Sequence, residues 1–418
     1  FGYLYQKIGL FIFFAGCTVS LCFPWIFNEA GLGMGIIYFS FFSFLGSSLI
    51  GYFINYRQIL LQADQKNYLV AIYFQSAGLV KTALQIFLAY TYRNLYVWVA
   101  IEFLFGILGC IILNWKINKE YPWLHTNIKS GKVLVKQYPD IFVKTKQIFI
   151  HQIKDFLLNR SDELFVFAFV SLQMVAFYGN YLMVINKITL LFKSVLDSVN
   201  AGIGNLVAEG DKPKMMRIFW ELMTIRHFVA GLLCFSIYHL IQPFISLWLG
   251  SEYLLDNTIV ILLVIYIYMV NSRGVVDMFN HSHGLYADTW SAWVELVLNV
   301  GITFVAGYHY GIVGILLGKI VSVFIIVIFW KPYYLFRDGL KLPISHYWNG
   351  TIRYYLIFFL SFGIASWLTS HLPFHPADSY WAWLLFAVCS VSVYALFNFS
   401  LLYMFAWGIK DFIKRIRK

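Results

Sequence analysis

The sequence predicts an all-α protein that crosses a membrane many times. Of its 418 residues, 60% are hydrophobic and 12% are charged, whereas soluble domains run near 45–50% apolar and about 25% charged. Apolar stretches of roughly 20 residues, the length that spans a bilayer as a helix, recur along the whole chain. Basic residues also alternate from one connection to the next, which is typical of a chain with a defined orientation in a membrane.

Twelve stretches are long and apolar enough to be interpreted as membrane spans. They lie at residues 6–27, 34–56, 68–90, 95–115, 147–170, 174–204, 216–240, 255–279, 288–307, 310–331, 351–370 and 380–408. The fifth and sixth are the least apolar, and the sixth is unusually long. We therefore expect about twelve transmembrane helices in this sequence.

Lys and Arg mark every second connection between these spans. One side carries most of them, including Lys7, Arg57, the run 116–146 and the tail 410–418, whereas the opposite connections contribute only Arg93. Because Lys and Arg mark cytoplasmic loops, we expect both ends of this sequence in the cytoplasm. The formal net charge of +11 thus indicates topology and an anionic partner in the membrane rather than a nucleic acid.

Two segments of the chain share one pattern. Residues 56–115 and 271–330 each contain an Arg, a polar loop, a span with polar residues, a short aromatic loop, a glycine-bearing span and a final Trp. Such a repeat predicts two pseudo-symmetric six-helix lobes around a central cavity. Only four spans precede residue 120, so two N-terminal helices are expected to be absent from this sequence, and the intact protein would have fourteen.

These patterns predict four parts of the chain. They are an incomplete N-terminal lobe of four helices (1–120), a basic cytoplasmic linker (121–146), a six-helix C-terminal lobe (147–335) and two additional helices with a basic tail (336–418). The five cysteines show no CxxC or metal-ligand spacing. Neither a metal site nor a bound cofactor is therefore expected.

Polar residues interrupt the fifth predicted span. At about 100° per residue, one third of the helix circumference carries most of them: His151, Asp155, Asn159, Asp162 and Glu163. Arg160 flanks this stripe, three residues before Glu163, a spacing that permits an intrahelical ion pair. Because a charge at bilayer depth costs a few kcal/mol or more without a partner or water, the stripe predicts a helix that lines a wet cavity.

The sixth predicted span repeats this one-sided pattern. One face carries its polar and small residues: Gly179, Asn186, Lys193, Asp197, Asn200 and Gly204. Lys193 and Asp197 are four residues apart and so are spaced to pair, and Lys187 lies to one side. Among the other charges at membrane depth, Lys81, Glu102 and Lys319 are expected to pair with other groups and determine helix register.

Four stretches carry a resemblance to a known family: YRQILLQADQKNY, LLNRSDELFVFAFVSLQMVAFYGNY, INKITLLFKSVLDSVNAGIGNLVAEGD and YGIVGILLGKIVS. In this order, and over essentially the whole chain, it resembles the Wzx-type polysaccharide flippases of the multidrug/oligosaccharidyl-lipid/polysaccharide exporter superfamily. The resemblance implies fourteen helices in the bacterial inner membrane and alternating access. It also implies movement of a polyprenyl-pyrophosphate-linked oligosaccharide to the periplasmic leaflet, for O-antigen and lipopolysaccharide synthesis, alongside other polysaccharide-assembly membrane proteins.

A cationic cavity suits such a substrate. Arg160 would bind the pyrophosphate through paired hydrogen bonds, and Lys187 and Lys193 would act as point charges. The sugars would accept hydrogen bonds from three amides: Asn159, Asn186 and Asn200. Coupling to a proton or sodium gradient needs a carboxylate that gains and loses a cation, and the candidates are Asp162, Asp155 and Asp197. Flipping without any ion stays open, as does mutual pairing of these charges.

Other functions of the same chain stay open. A lipid II flippase and a cation-coupled multidrug exporter are alternatives with the same expected fold, although an exporter of organic cations should favour acidic cavity walls over Arg160, Lys187 and Lys193. A membrane enzyme of polysaccharide synthesis needs an active site outside the membrane. The outer connections are only about 4–16 residues long and DxD is absent, so the sequence predicts no enzyme.

Overall fold

Helices make up almost all of the structure. The computed structural model describes residues 2–26, 33–64, 66–124 and 139–410, without the side chains at 62, 67, 71, 139–142, 155, 159 and 160. No strand occurs in these ranges. The fold class predicted from the sequence, an all-α membrane protein with many spans, is confirmed.

The chain divides into two compact units, Phe1–Phe142 and Val143–Lys418. The helices of the first unit are α1 (Gly2–Ser20), α2 (Phe23–Ile26), α3 (Met34–Phe53), α4 (Gln58–Ala63), α5 (Asn67–Tyr92) and α6 (Leu95–Glu120). Here α3 packs against α1 and α6, and α5 packs against α6. The division of the chain into lobes and additional helices beyond these two units stays a prediction.

Polar contacts join the helix ends of the first unit on the side predicted to be cytoplasmic. Arg57 donates hydrogen bonds to Asn114 (2.5 Å) and Asn118 (2.9 Å) on α6. Lys66 lies 2.9 Å from Asp64 and 2.8 Å from Glu120. The hydrogen bond from the Lys66 ammonium lowers the pKa of the Asp64 carboxyl. The short helix α4 is thereby attached to the end of α6.

Among its described residues, the second unit has ten α-helices longer than four residues. They are α7 (Pro139–Phe169), α8 (Leu172–Leu196), α9 (Asn200–Glu209), α10 (Lys212–Leu249), α11 (Asn257–Ser272), α12 (Gly274–Ser282), α13 (Thr289–Tyr310), α14 (Ile312–Val323), α15 (Ile344–Thr369) and α16 (Tyr380–Phe405). After α14 the helical path continues, partly as π-helix, to Leu340. The helical path thus extends beyond the predicted span 310–331.

Local signals in the sequence determine where several of these helices begin. The side chains of Ser171, Asp211 and Ser379 accept hydrogen bonds from backbone N–H groups in the first turns of α8, α10 and α16. Such N-caps satisfy donors that have no partner inside the helix. The sixth predicted span is shorter than expected, because a 3₁₀ turn at Asp197–Val199 separates α8 from α9.

The long helix α10 forms the centre of the second unit. Its 38 residues pack against α8, α11, α15 and α16. Polar contacts accompany the apolar ones: Thr224 and Tyr354 hydroxyls are 2.8 Å apart, and His239 Nε2 lies 2.9 Å from Ser366 Oγ. Helix α15 is thus attached to α10 at two points, because polar groups between the two helices find partners.

Ten helices of the described residues are long and apolar enough to cross a membrane. The other two predicted spans correspond to α7 and α8, which have 31 and 25 residues. At 1.5 Å per residue both are long enough to cross a bilayer, but their polar residues lower the hydropathy. They are the two helices on which the candidate functional site was predicted.

Candidate functional site

Several charged or polar side chains of α7 point into the second unit. His151, Lys154 and Asp162 each contact α14, α13 or the segments that flank them. Leu158 and Val166, spaced between and after these residues, are also buried. This side of α7 therefore faces the interior of the unit, whereas Phe156, Leu164 and Phe167 are exposed.

The deepest of these contacts is the ion pair between Asp162 and Lys319. Asp162 on α7 and Lys319 on α14 are 2% and 7% exposed, and the Lys319 ammonium binds Asp162 Oδ2. Tyr178 on α8 donates a hydrogen bond of 3.3 Å to the same oxygen. The ammonium also lies 5.0 Å from the ring centroid of Tyr266 on α11. Four helices thus contribute to one buried polar cluster.

A second ion pair lies two turns earlier on α7. Lys154 Nζ is 3.0 Å from Glu295 Oε2 on α13, with side-chain exposures of 13% and 4%. Its polarity is opposite to that of the first pair, because here α7 supplies the cation. The two pairs neutralise the charges of Lys154 and Asp162.

Asp288, just before α13, is a third point of contact. Its Oδ2 accepts hydrogen bonds from Lys331 (2.7 Å), Trp330 Nε1 (2.9 Å) and Ser291 (2.9 Å). Its other oxygen faces His151 Nε2 at 3.6 Å. The segment before α13 is thereby joined to α7 and to the helical continuation of α14.

These contacts correct the expectation that the whole polar stripe of α7 lines a cavity. His151 and Asp162 are directed into the unit, and Glu163 is exposed. At 100° per residue, these side chains fall within one third of the helix circumference. That third includes the boundary between the buried and exposed sides of α7. The side chains of Asp155, Asn159 and Arg160 lie outside the described residues, so their roles stay predictions.

On α8 the predicted substrate-binding residues lie at the surface of the unit. Asn186, Lys187 and Lys193 are exposed, as is Asn200 at the start of α9. Within the part of the chain that the structure describes, none of the four side chains has a hydrogen bond or ion pair. These two lysines and two amides remain available for a ligand with anionic and hydroxyl groups.

Asp197 pairs with a different residue from the one its spacing indicated. Its carboxylate binds the guanidinium of Arg226 on α10, not Lys193. Arg226 is 5% exposed, and its guanidinium also contacts Met278 and packs against Gly274. Since a buried guanidinium needs a counter-charge more than an exposed lysine does, Arg226 takes the carboxylate.

The first unit contains its own ion pair at membrane depth. Lys81 Nζ on α5 lies 2.6 Å from Glu102 Oε1 on α6. Gln85 donates to the second carboxylate oxygen at 3.1 Å. Lys81 and Glu102, each of which was expected to have a partner, pair with each other and join α5 to α6.

Sequence reasoning missed Lys154 and Asp288 as partners of other charges. A signal was present in the internal repeat: the first copy has Lys81 and then Glu102, and the second has Glu295 and then Lys319. The order of charges is reversed between the copies. In the second copy neither charge pairs with the other, and both are neutralised by α7.

A solved structure is similar to this chain over most of its length. The lipid II flippase MurJ, in an inward closed conformation, matches with a TM-score of 0.60 at 16% identity, over 96% of this chain and 83% of that chain. The fold is MurJ-like. No family model and no curated protein matches the sequence. At this identity the likeness to MurJ establishes the fold of a polytopic membrane protein and not its substrate.

Proposed function

We propose that this protein is a flippase for a polyprenyl-pyrophosphate-linked saccharide and works by alternating access. The observation that carries the proposal is the MurJ-like fold along 96% of the chain. MurJ is described as a lipid II flippase, and lipid II belongs to this class of substrate. A transporter, rather than an enzyme, is the function that this fold supports.

The exposed residues of α8 support an anionic headgroup as the substrate. Lys187 and Lys193 have no partner among the described residues, Asn186 lies two turns before Lys193 on the same side of α8, and Asn200 begins α9. Ammonium groups bind phosphate oxygens as point charges, and amides donate and accept hydrogen bonds with sugar hydroxyls. We assign the pyrophosphate to the two lysines, together with Arg160, and the saccharide to the amides.

Two substrates of this class are candidates. Lipid II is favoured by the likeness to MurJ, whereas a lipid-linked oligosaccharide for surface polysaccharides is favoured by the Wzx-like stretches of the sequence. We propose transport from the cytoplasmic to the periplasmic leaflet of a bacterial inner membrane, with both ends of the chain in the cytoplasm. A multidrug exporter is the less favoured function, because lysines repel organic cations.

Proteoliposomes test the proposal directly. The chain is reconstituted with fluorescent lipid II, with a fluorescent polyprenyl-pyrophosphate oligosaccharide or with an organic cation, and movement between leaflets is measured by quenching from outside. We expect movement of at least one of the two lipids. Transport of the organic cation without either lipid would contradict the proposal.

Variants of α8 examine the role of the lysines. Lys187→Gln and Lys193→Gln should each lower the flipping rate about tenfold, the effect of losing roughly 1.4 kcal/mol of phosphate binding. Lys212→Gln is the matched control, because Lys212 is equally exposed but lies at the start of α10. Rates unchanged in both α8 variants would remove the lysines from the site, and Arg160→Ala then remains as the test of the pyrophosphate contact.

A further inference from the structure

The carboxylate of Asp162 already has a cation beside it. The Lys319 ammonium and the Tyr178 hydroxyl both contact Oδ2, and all three side chains are buried. The ammonium also lies 5.0 Å from the Tyr266 ring, a distance at which an aromatic face attracts a cation. The Lys319 ammonium and the Tyr178 hydroxyl thus both stabilise the charged form of Asp162.

A cation carried by the chain has an advantage over a dissolved one. Lys319 is anchored on α14 within reach of Asp162, so it binds the carboxylate without the loss of translational freedom that binding of a dissolved ion requires. A sodium ion or a proton would have to displace it and leave a buried ammonium without a counter-charge. Leaving one member of a buried ion pair alone is strongly unfavourable.

We infer that Lys319 is a built-in counter-cation, which occupies the place at Asp162 that an exchangeable sodium ion or proton would otherwise take. Asp162 therefore does not couple transport to an ion gradient, and it joins α7 to α14 through the whole cycle. This replaces the assignment of Asp162 as an ion-coupling residue. The ion-binding part of the inference is independent of the proposed function, and only its transport part rests on flipping.

The second ion pair of α7 supports this interpretation. Lys154 and Glu295 form a neutral pair of opposite polarity on the same side of α7. Glu295 of α13 therefore compensates Lys154, as Lys319 of α14 compensates Asp162. Two neutral pairs of opposite polarity also make the register of α7 specific. Sliding α7 by two turns would bring Lys154 to Lys319 or Asp162 to Glu295, which are like charges. Rotating α7 would separate both pairs.

Thermal unfolding of the purified protein tests the inference without any transport assay. Melting temperatures are measured for the wild type, Lys319→Met, Asp162→Asn and the double variant, in sodium, lithium, potassium or choline chloride at equal ionic strength and at several pH values. Methionine approximates the unbranched aliphatic part of the lysine side chain and removes the ammonium group. The double variant is the matched control, because it lacks both charges.

The expected pattern is specific to the single Lys319 variant. Wild type and the double variant should show no dependence on the choice of cation. Lys319→Met should be less stable than both in choline chloride and should regain stability with sodium, lithium or acid, since its carboxylate must then take a dissolved cation or a proton. A Lys319→Met protein with no such dependence relative to the double variant would overturn the inference.

The wild type and Asp162→Asn provide a second measurement if Lys319→Met does not fold. A sodium- or lithium-specific rise in the melting temperature of the wild type that is lost in Asp162→Asn would overturn the inference. A wild type without that rise, combined with a lower melting temperature for Asp162→Asn, supports it. In proteoliposomes that flip lipid, replacing sodium with choline should leave the wild-type rate unchanged; a protein that flips nothing contradicts only the proposed function.

Discussion

Asp197 illustrates how a residue's partner depends on burial more than on spacing. Lys193 is one helical turn away on the same face, yet the carboxylate binds Arg226. Lys193 is exposed, and a lysine can extend its ammonium into water or toward lipid headgroups. Arg226 is enclosed by α10, α12 and the end of α8, so it depends on Asp197 for its counter-charge.

This difference predicts unequal effects of two substitutions on the same turn. Asp197→Asn should lower the free energy of unfolding by about 1–3 kcal/mol, because it leaves the buried guanidinium without a carboxylate. Lys193→Gln should change it by less than about 0.5 kcal/mol. Equilibrium unfolding in detergent micelles measures both. Equal effects of the two substitutions would show that Lys193 and Asp197 pair with each other.

Helices α13 and α14 approach each other closely at two glycines. Gly314 and Gly318 are four residues apart on α14, a spacing that allows two helices to approach closely in membranes. A Cβ atom at Gly314 would meet the backbone of Ala306, and one at Gly318 would meet Thr303 and the carbonyl oxygen of Asn299. This close approach places Lys319 beside α7.

Gly318→Ala should therefore separate α13 from α14. We expect a loss of about 1–3 kcal/mol in the free energy of unfolding, the usual effect of excess volume in a packed core. Gly301→Ala on α13 is the control, since no atom lies within 4 Å of a Cβ built there. It should be neutral or slightly stabilising, because alanine favours helix over glycine. Equal losses for both variants, measured by thermal unfolding, would contradict this packing.

The whole chain combines two compact units in a MurJ-like fold. Its orientation in the membrane follows from the distribution of Lys and Arg in the sequence. The first turns of α10 carry Lys212, Lys214 and Arg217, whereas the connection after it, with Ser251 and Glu252, carries no basic residue. The two ends of α10 should therefore lie on opposite sides of the membrane.

Cysteine labelling in whole cells tests this orientation. In a background with the five native cysteines replaced by alanine, Ser251→Cys should react with a maleimide that cannot cross the inner membrane. Lys212→Cys should react only after the membrane is permeabilised. Both residues are exposed in the structure, so protection reports the side of the membrane rather than burial. Labelling of Lys212→Cys in intact cells would reverse the proposed topology.

The sequence by itself was sufficient for the class of fold and the approximate positions of the spans. Long apolar stretches have few alternatives to a membrane helix, because a backbone in lipid must satisfy its own hydrogen bonds. The sequence also identified α7 and α8 as the two polar helices. It indicated that Lys81 and Glu102 have partners, and the structure shows that they pair with each other.

Only the tertiary structure decided which way the polar residues of α7 and α8 point. Helical periodicity shows which residues share a side of a helix, but it does not show which neighbour covers that side. Lys319 and Glu295 are far from α7 in the sequence. Nevertheless, Lys319 forms an ion pair with Asp162 of α7, and Glu295 forms one with Lys154. The packing of α13 and α14 against α7 therefore determines which charges are neutralised, and it leaves Lys187 and Lys193 of α8 exposed.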